Sequence, residues 1–200
     1  MNERSAREAV LATAVAMAGA GFATGSSGNV SMRIDDRVWI TASGVPYGRL
    51  RADQIIEIDL EGNRLSGDGD PSSEWRMHAA IYAARDDVQA IVHTHSPIAT
   101  AAAVALTSLP VPHDEGKILF GDELPISAHH PPGTWELAHA VADALDAGRA
   151  VLIAKHGAVG VGATLDEAFE VAVKIEEIAH LYLLSRQFAA LDRSSNEEAR

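Results

Sequence analysis

The sequence predicts a single α/β domain over residues 1–200, with three layers (α/β/α) built on a mixed, largely antiparallel central sheet. Three observations carry this reading. Segments of helical periodicity alternate with short apolar segments along the chain. Polar glycine-rich turns, such as SGDGDP at 66–71, suit antiparallel pairing better than the long crossovers of an all-parallel sheet. A length of 200 residues, 47% of them apolar, allows one sizeable core, and no linker, repeat or low-complexity block divides it.

Taken in order, residues 3–20 read as an amphipathic helix, because Val10, Ala14, Met17 and Ala18 recur at helical spacing and Gly21 stands past the end. GFATGSSGNVS (21–31) reads as a loop. Residues 38–41 and 55–60 read as short strands, with a turn at Ser43-Gly44 between them. Ser73 is the expected N-cap of a helix running to about Arg85. Residues 88–94 form an apolar strand and 98–106 a helix. Residues 107–133, with five prolines, read as irregular. A helix is expected over 134–145. A strand follows at 150–154, running into a turn at His156-Gly157, with 158–161 as its hairpin partner. The longest helix spans 164 to about 187, where Thr164 and Glu167 have capping-box spacing. The tail from about 192 is polar and expected to fray.

Composition narrows the function. The formal net charge of −12 repels nucleic acid and anionic membrane surfaces. It also repels a phosphorylated substrate at long range, so any phosphate must be met by local donors. With no cysteine, a metal site must use His, Asp or Glu. The first residues lack the apolar core of a signal peptide, and no apolar run is long enough to cross a bilayer. The expectation is a cytoplasmic protein with no nucleic-acid or membrane partner.

The sharpest chemical feature is VHTH at 92–95. Residues i and i+2 of a strand share a face, so His93 and His95 can offer two imidazoles to one ion. Taken alone, they are equally consistent with two hydrogen-bonded histidines at a strand end. His156 closes a second apolar strand, VLIAKHG, and two neighbouring strands ending at one edge would gather three imidazoles. Three histidines leave a coordination position open, the pattern of a catalytic zinc site. Glu74, at a predicted helix start, is either a first-turn acid complementing the helix dipole or a carboxylate ligating the ion and acting as general base. Gly25 to Asn29, Thr41 to Gly44, and Ser72 with Ser73 are glycine- and hydroxyl-rich segments able to form an anion site, although each alone also fits an ordinary turn.

Five motifs in order, GSSGNVSMR (25–33), ITASGVPYGRL (40–50), PSSEWRMH (71–78), AIVHTHS (90–96) and KHGAVGVG (155–162), resemble the class II aldolase/adducin family across residues 5–188. The resemblance implies zinc, or another divalent metal such as Mn2+ or Co2+, on His93, His95 and His156, with Glu74 as ligand and base. It implies substrate phosphate among Ser26, Ser27, Asn29, Ser43, Gly44, Ser72 and Ser73. It implies a homotetramer with active sites between subunits. The implied reaction is cleavage of a ketose 1-phosphate, a phosphorylated sugar, to dihydroxyacetone phosphate and an aldehyde through a metal-stabilised enediolate. The alternatives are a decarboxylase or dehydratase on the same scaffold and a non-catalytic interaction domain that would have shed its ligands. A Schiff-base route needs a suitably placed lysine, and Lys117, Lys155 and Lys174 are the only candidates. The sequence departs from the family pattern at one catalytic position. A tyrosine follows the histidine matching His113 in one of the family's aldolases, but Asp114 stands here and no tyrosine follows Tyr182. His113 and Asp114 are therefore the candidates for proton transfer at the aldehyde half.

Overall fold

A computed structural model describes residues 2–198, with side chains through residue 194. Its helices are α1 (Glu3–Gly19), α2 (Trp75–Ala84), α3 (Pro97–Ala105), α4 (Asp114–Phe120), α5 (Trp135–Leu145) and α6 (Leu165–Glu198). Its strands are β1 (Asn29–Ile34), β2 (Arg37–Thr41), β3 (Ile55–Ile58), β4 (Arg64–Ser66), β5 (Ala90–Thr94), β6 (Ser108–Pro110), β7 (Glu123–Ser127), β8 (Ala150–Ile153) and β9 (Gly157–Gly162). They form one nine-stranded sheet in the order β4-β3-β2-β1-β5-β9-β8-β7-β6. Every pairing is antiparallel except β7 with β8, so the sheet is mixed and largely antiparallel as expected. Helices α1, α3 and α6 pack together against one face, and α2 with α5 against the other.

Strand alternation sorts side chains between these layers. In β5, Ile91 and His93 point toward α2, level with Ser31 and Asn29 of β1 and with Val161 and Val159 of β9. On the opposite face Gly160 lets α6 approach, since a Cβ there would lie 2.8 Å from the Ala168 carbonyl oxygen. Among the described residues no helix is long and apolar enough to cross a membrane.

Several elements differ from the sequence expectation. The loop gives way at Asn29 to β1, whose two faces are both largely buried. Its inward Ser31 and Arg33 are polar, which hides the alternation. Arg33 is satisfied by the carbonyls of Tyr82, Arg85, Asp86 and Val88. The segment read as irregular contains β6, α4 and β7, and two of its five prolines, Pro110 and Pro125, sit within the short strands rather than abolishing them. Pro110 ends β6, and β7 pairs with β8 only after Pro125. Helix α2 starts at Trp75 with Glu74, not Ser73, at the N-cap, and no side chain caps it. At α6 the Glu167 N–H donates to Thr164 Oγ1 at 3.2 Å, while the Glu167 carboxylate accepts from Ala163 N at 3.2 Å rather than from Thr164. Helix α6 continues past Gln187 to Glu198, so the tail from 192 is helical through that point.

Candidate metal centre and substrate cleft

Three chain segments deliver the imidazoles. His93 is fully buried on β5, and its Nδ1 donates to the Ala158 carbonyl at 3.0 Å. That bond places a proton on Nδ1, so the neutral ring keeps the Nε2 lone pair that a metal ligand needs. His95 lies one residue beyond the end of β5, its backbone N–H held by the Phe22 carbonyl at 2.9 Å. Glu176 of α6 accepts from Ile98 N at 2.9 Å and Ala99 N at 2.7 Å, which satisfies the start of α3 just after His95. His156 does not end a strand. Strand β8 stops at Ile153, and His156 sits in the turn to β9, where Lys155 adopts φ 60° and His156 N donates to Ile153 O at 3.0 Å. Strands β5 and β8 are not neighbours either. β9 runs antiparallel between them, which brings both of their C-terminal ends to one edge.

At that edge the imidazole rings stand nearly edge-on to one another, with centroids 4.8–5.0 Å apart. His93 Nε2 and His95 Nε2 are 3.1 Å apart. Glu74 Oε2 lies 3.0 Å from His93 Nε2, and Oε1 lies 3.4 Å from His156 Nε2. All four donor atoms lie within 4.8 Å of one another. Tetrahedral ligation at about 2.0 Å separates donors by ~3.3 Å, which the gaps of 3.0–3.4 Å match. Glu74 Oε1 is buried without a hydrogen bond, an orphan that a cation would satisfy.

The electrostatics agree. Burial disfavours the Glu74 charge, but His93 and His156, with the Asn29 amide, outweigh it and hold the carboxyl well below the usual range. Burial likewise opposes charge on His93, yet the Glu74 carboxylate raises its pKa, so negative potential is focused at the cluster. Burial and then the neighbouring histidines pull His95 down to about 4, which leaves its ring neutral near neutral pH and able to ligate.

A cleft of about 490 Å³ opens on this cluster. It is lined by Ser26, Ser27, Gly28, Asn29, Ala42, Ser43, Gly44, Ser72, Ser73, Glu74, His95, Pro132 and His156. Every position that the resemblance assigns to phosphate therefore lines this cleft, beside Glu74, His95 and His156. Ser27 Oγ accepts from Thr24 N at 2.9 Å and Ser72 Oγ from Glu74 N at 3.3 Å, which leaves each hydroxyl proton free to donate to an anion. Gly28 has φ 71° and passes so near β5 that a Cβ would lie 2.6 Å from the His93 carbonyl oxygen. Among the described residues, a larger cleft of about 750 Å³ beside the start of α1 has no comparable convergence of metal-binding donors. His113 and Asp114 do not line the cleft of their own chain. His113 occupies the N-cap of α4, and Asp114 is exposed in its first turn.

Sequence reasoning assigned no role to Tyr47, His78 or Pro132. Tyr47 donates to the Gly28 carbonyl at 2.6 Å and so pins the glycine loop. His78 was legible in principle, because it follows Glu74 by four residues and a helix puts i and i+4 on one face. Pro132 carried no local signal.

Residues 8–183 match the family described as Class II Aldolase and Adducin N-terminal domain. The chain belongs to the class II aldolase/adducin family. A 5-methylthioribulose-1-phosphate/5-deoxyribulose-1-phosphate aldolase of Rhodospirillum rubrum is 39% identical over 169 residues, covering 84% of this chain and 76% of that protein. The L-fuculose phosphate aldolase of Escherichia coli K12 is 36% identical over 174 residues, covering 87% and 80%. A solved L-fuculose 1-phosphate aldolase superposes with a TM-score of 0.88 at 31% identity, covering 92% of this chain and 87% of that one. These relatives are class II lyases, and this member of the family is an enzyme of that class.

Proposed function

We propose that this family member is a zinc-dependent aldolase that cleaves a ketose 1-phosphate to dihydroxyacetone phosphate and an aldehyde. The observation that carries the reading is the convergence of Glu74, His93, His95 and His156 at one end of a cleft whose other wall is hydroxyl- and glycine-rich. The names of these three relatives, each a sugar-phosphate aldolase, support the substrate class. His93, His95 and His156 would hold the ion, with Glu74 beside it. When bound, the ion supplies Lewis acidity for the carbonyl and hydroxyl oxygens of the substrate. Ser26, Ser27, Asn29, Ser43, Gly44, Ser72 and Ser73 would receive the phosphate with neutral donors. Such donors suit a chain of net charge −12, because long-range attraction is lacking and short-range geometry must select the anion.

Glu74 is the one carboxylate lining the cleft among the described residues. In cleavage the C3–C4 bond breaks, the C4 hydroxyl loses its proton and C3 gains one, and Glu74 is the group placed to carry protons in that exchange. His113 and Asp114 lie outside their own cleft, so they would serve a site only across a subunit boundary, as in the family's cyclic tetramers. Asp114 puts a short carboxyl group where the family pattern has a phenol, so the donor geometry of a tyrosine is not reproduced. We therefore expect L-fuculose 1-phosphate to be a poor substrate and another aldehyde half to be preferred. The deciding experiment measures release of dihydroxyacetone phosphate, carbon dioxide or water from a panel of ketose 1-phosphates and sugar acids. Release of carbon dioxide or water without the triose phosphate would replace the aldolase by a decarboxylase or dehydratase. A kcat/KM for L-fuculose 1-phosphate above ~10⁴ M⁻¹s⁻¹ and above all others would overturn the substrate expectation.

A further inference from the structure

Behind Glu74, a file of buried polar groups runs from Asn29, at the cleft wall, between β1 and α2. Asn29 Nδ2 lies 3.0 Å from Glu74 Oε2. The Asn29 Oδ1 is hydrogen-bonded to His78 Nε2. His78 Nδ1 is 2.7 Å from Ser31 Oγ, which is 2.7 Å from the Tyr82 hydroxyl. His78, Ser31 and Tyr82 are fully buried, and Asn29 nearly so. None of the last three links touches the three-histidine cluster, so metal binding does not by itself account for them.

The direction of every proton in this file follows from one charge. An ionised carboxylate only accepts, so Asn29 must turn its amide N–H to Glu74. Its carbonyl oxygen then faces His78 Nε2, which must donate. A neutral imidazole that donates from Nε2 accepts at Nδ1, so Ser31 must give its hydroxyl proton there. Tyr82 is left to donate to Ser31. All four donors point toward Glu74, and no acceptor in the file is left facing another acceptor.

We propose that His78 is a positioning residue, which through the Asn29 amide holds one oxygen of Glu74 in place and leaves the other free for proton transfer. The two carboxylate oxygens are already unequal. Oε2 accepts from Asn29, whereas Oε1 makes no hydrogen bond. Without the His78 donor the Asn29 amide is free to turn over, and its carbonyl oxygen would then repel Oε2. The carboxylate would swing away from the reacting atoms although the three imidazoles remained in place.

The rate that tests this rests on the aldolase reading, whereas the hydrogen-bond geometry does not. Zinc-loaded wild type, His78→Leu, His78→Gln and Ser31→Ala are compared in deuterium exchange at C3 of dihydroxyacetone phosphate, a half-reaction that needs no aldehyde. His78→Leu is expected to slow exchange by ~10-fold or more, the scale of a lost outer-shell partner, with zinc affinity within about threefold. His78→Gln retains a donor and is expected to recover the rate to within about threefold of wild type. Ser31→Ala, a smaller change should His78→Leu fail to fold, is expected to cost about threefold. Hydrogen exchange of the Asn29 side-chain amide, followed by NMR in the zinc-loaded protein, is expected to be slow in wild type and His78→Gln and fast in His78→Leu, or in Ser31→Ala if His78→Leu does not fold. If the leucine variant matches wild type, if glutamine falls as far as leucine, or if the Asn29 amide is unprotected in wild type, the proposal is wrong. Absence of exchange at C3 in wild type instead removes the aldolase reading and leaves the NMR comparison to decide on His78.

Discussion

At Glu74 two effects oppose each other within one carboxylate, and the outcome depends on its partners. Burial raises its pKa, while His93, His156 and Asn29 lower it further than burial raises it. Replacing it by glutamine keeps the volume and the contact with Asn29 but removes the base. Glu74→Gln is expected to keep bound metal and lose ~10²-fold or more in kcat, read from steady-state kinetics with metal analysis. Each of His93→Ala, His95→Ala and His156→Ala is expected to weaken zinc binding by at least ~100-fold in chelator competition, since even outer-shell partners are worth that much. Stoichiometric metal in the triple variant would dissociate the cluster from metal binding. His78 carries a pH effect of definite sign. Burial foremost, and then the nearby charge of His93, pull it down to about 3, whereas an unfolded histidine titrates near 6.5. The unfolded chain therefore binds the proton first. The contribution to stability is complete above about pH 6.5 and is lost as the pH falls toward 3, at up to about 1.4 kcal/mol per pH unit. Thermal unfolding of metal-free protein between pH 7 and 4 should show this slope, and His78→Gln should flatten it.

At the scale of elements, glycines decide how closely layers approach. Gly160 on β9 faces α6, where an added Cβ would meet Ala168 O at 2.8 Å and Ala172 N at 2.9 Å, both backbone atoms. Backbone cannot rotate aside, so strand and helix must separate. Gly160→Ala is expected to cost about 2 kcal/mol, or roughly 4–8 °C in Tm for a chain of this size. Gly48→Ala is the control, since a Cβ there meets nothing within 4 Å. Equal melting temperatures for the two variants would mean that α6 shifts without cost. Sequence periodicity located α1, α2, α3, α5 and α6 and the strands β2, β3, β5, β8 and β9 to within a few residues, apart from the C-terminal end of α6. It missed β1 because polar Ser31 and Arg33 point inward, and it missed β6 and β7 because prolines signal loops more strongly than three to five residues signal a strand.

For the whole molecule, the exposed apolar surface bears on assembly. Ile118 and Leu119 on α4, and Leu183, Leu184, Phe188 and Leu191 along the outer part of α6, are exposed in the isolated chain. Apolar area of that kind is commonly covered by a neighbour. Together with the family resemblance, it leads us to expect a cyclic homotetramer. Light scattering at micromolar concentration is expected to give four chains, and a monomeric mass would refute the assembly.

The residue types at the candidate centre were legible in the chain itself. A strand places His93 and His95 two residues apart, a glycine follows His156, and Glu74 opens a helix, all of which are local patterns. Tertiary structure decided what these groups meet. β9 had to lie between β5 and β8 for their ends to share an edge, and the His156 ring arrives on a left-handed turn rather than on a strand. Asn29 gained its partners only when β1 paired with β5 and α2 packed over both, bringing together groups 45 and 49 residues apart. Periodicity reports the face a side chain takes within its own element. Strand order and hydrogen-bond partners are set by which distant surfaces bury each other, and that information is spread over the whole chain.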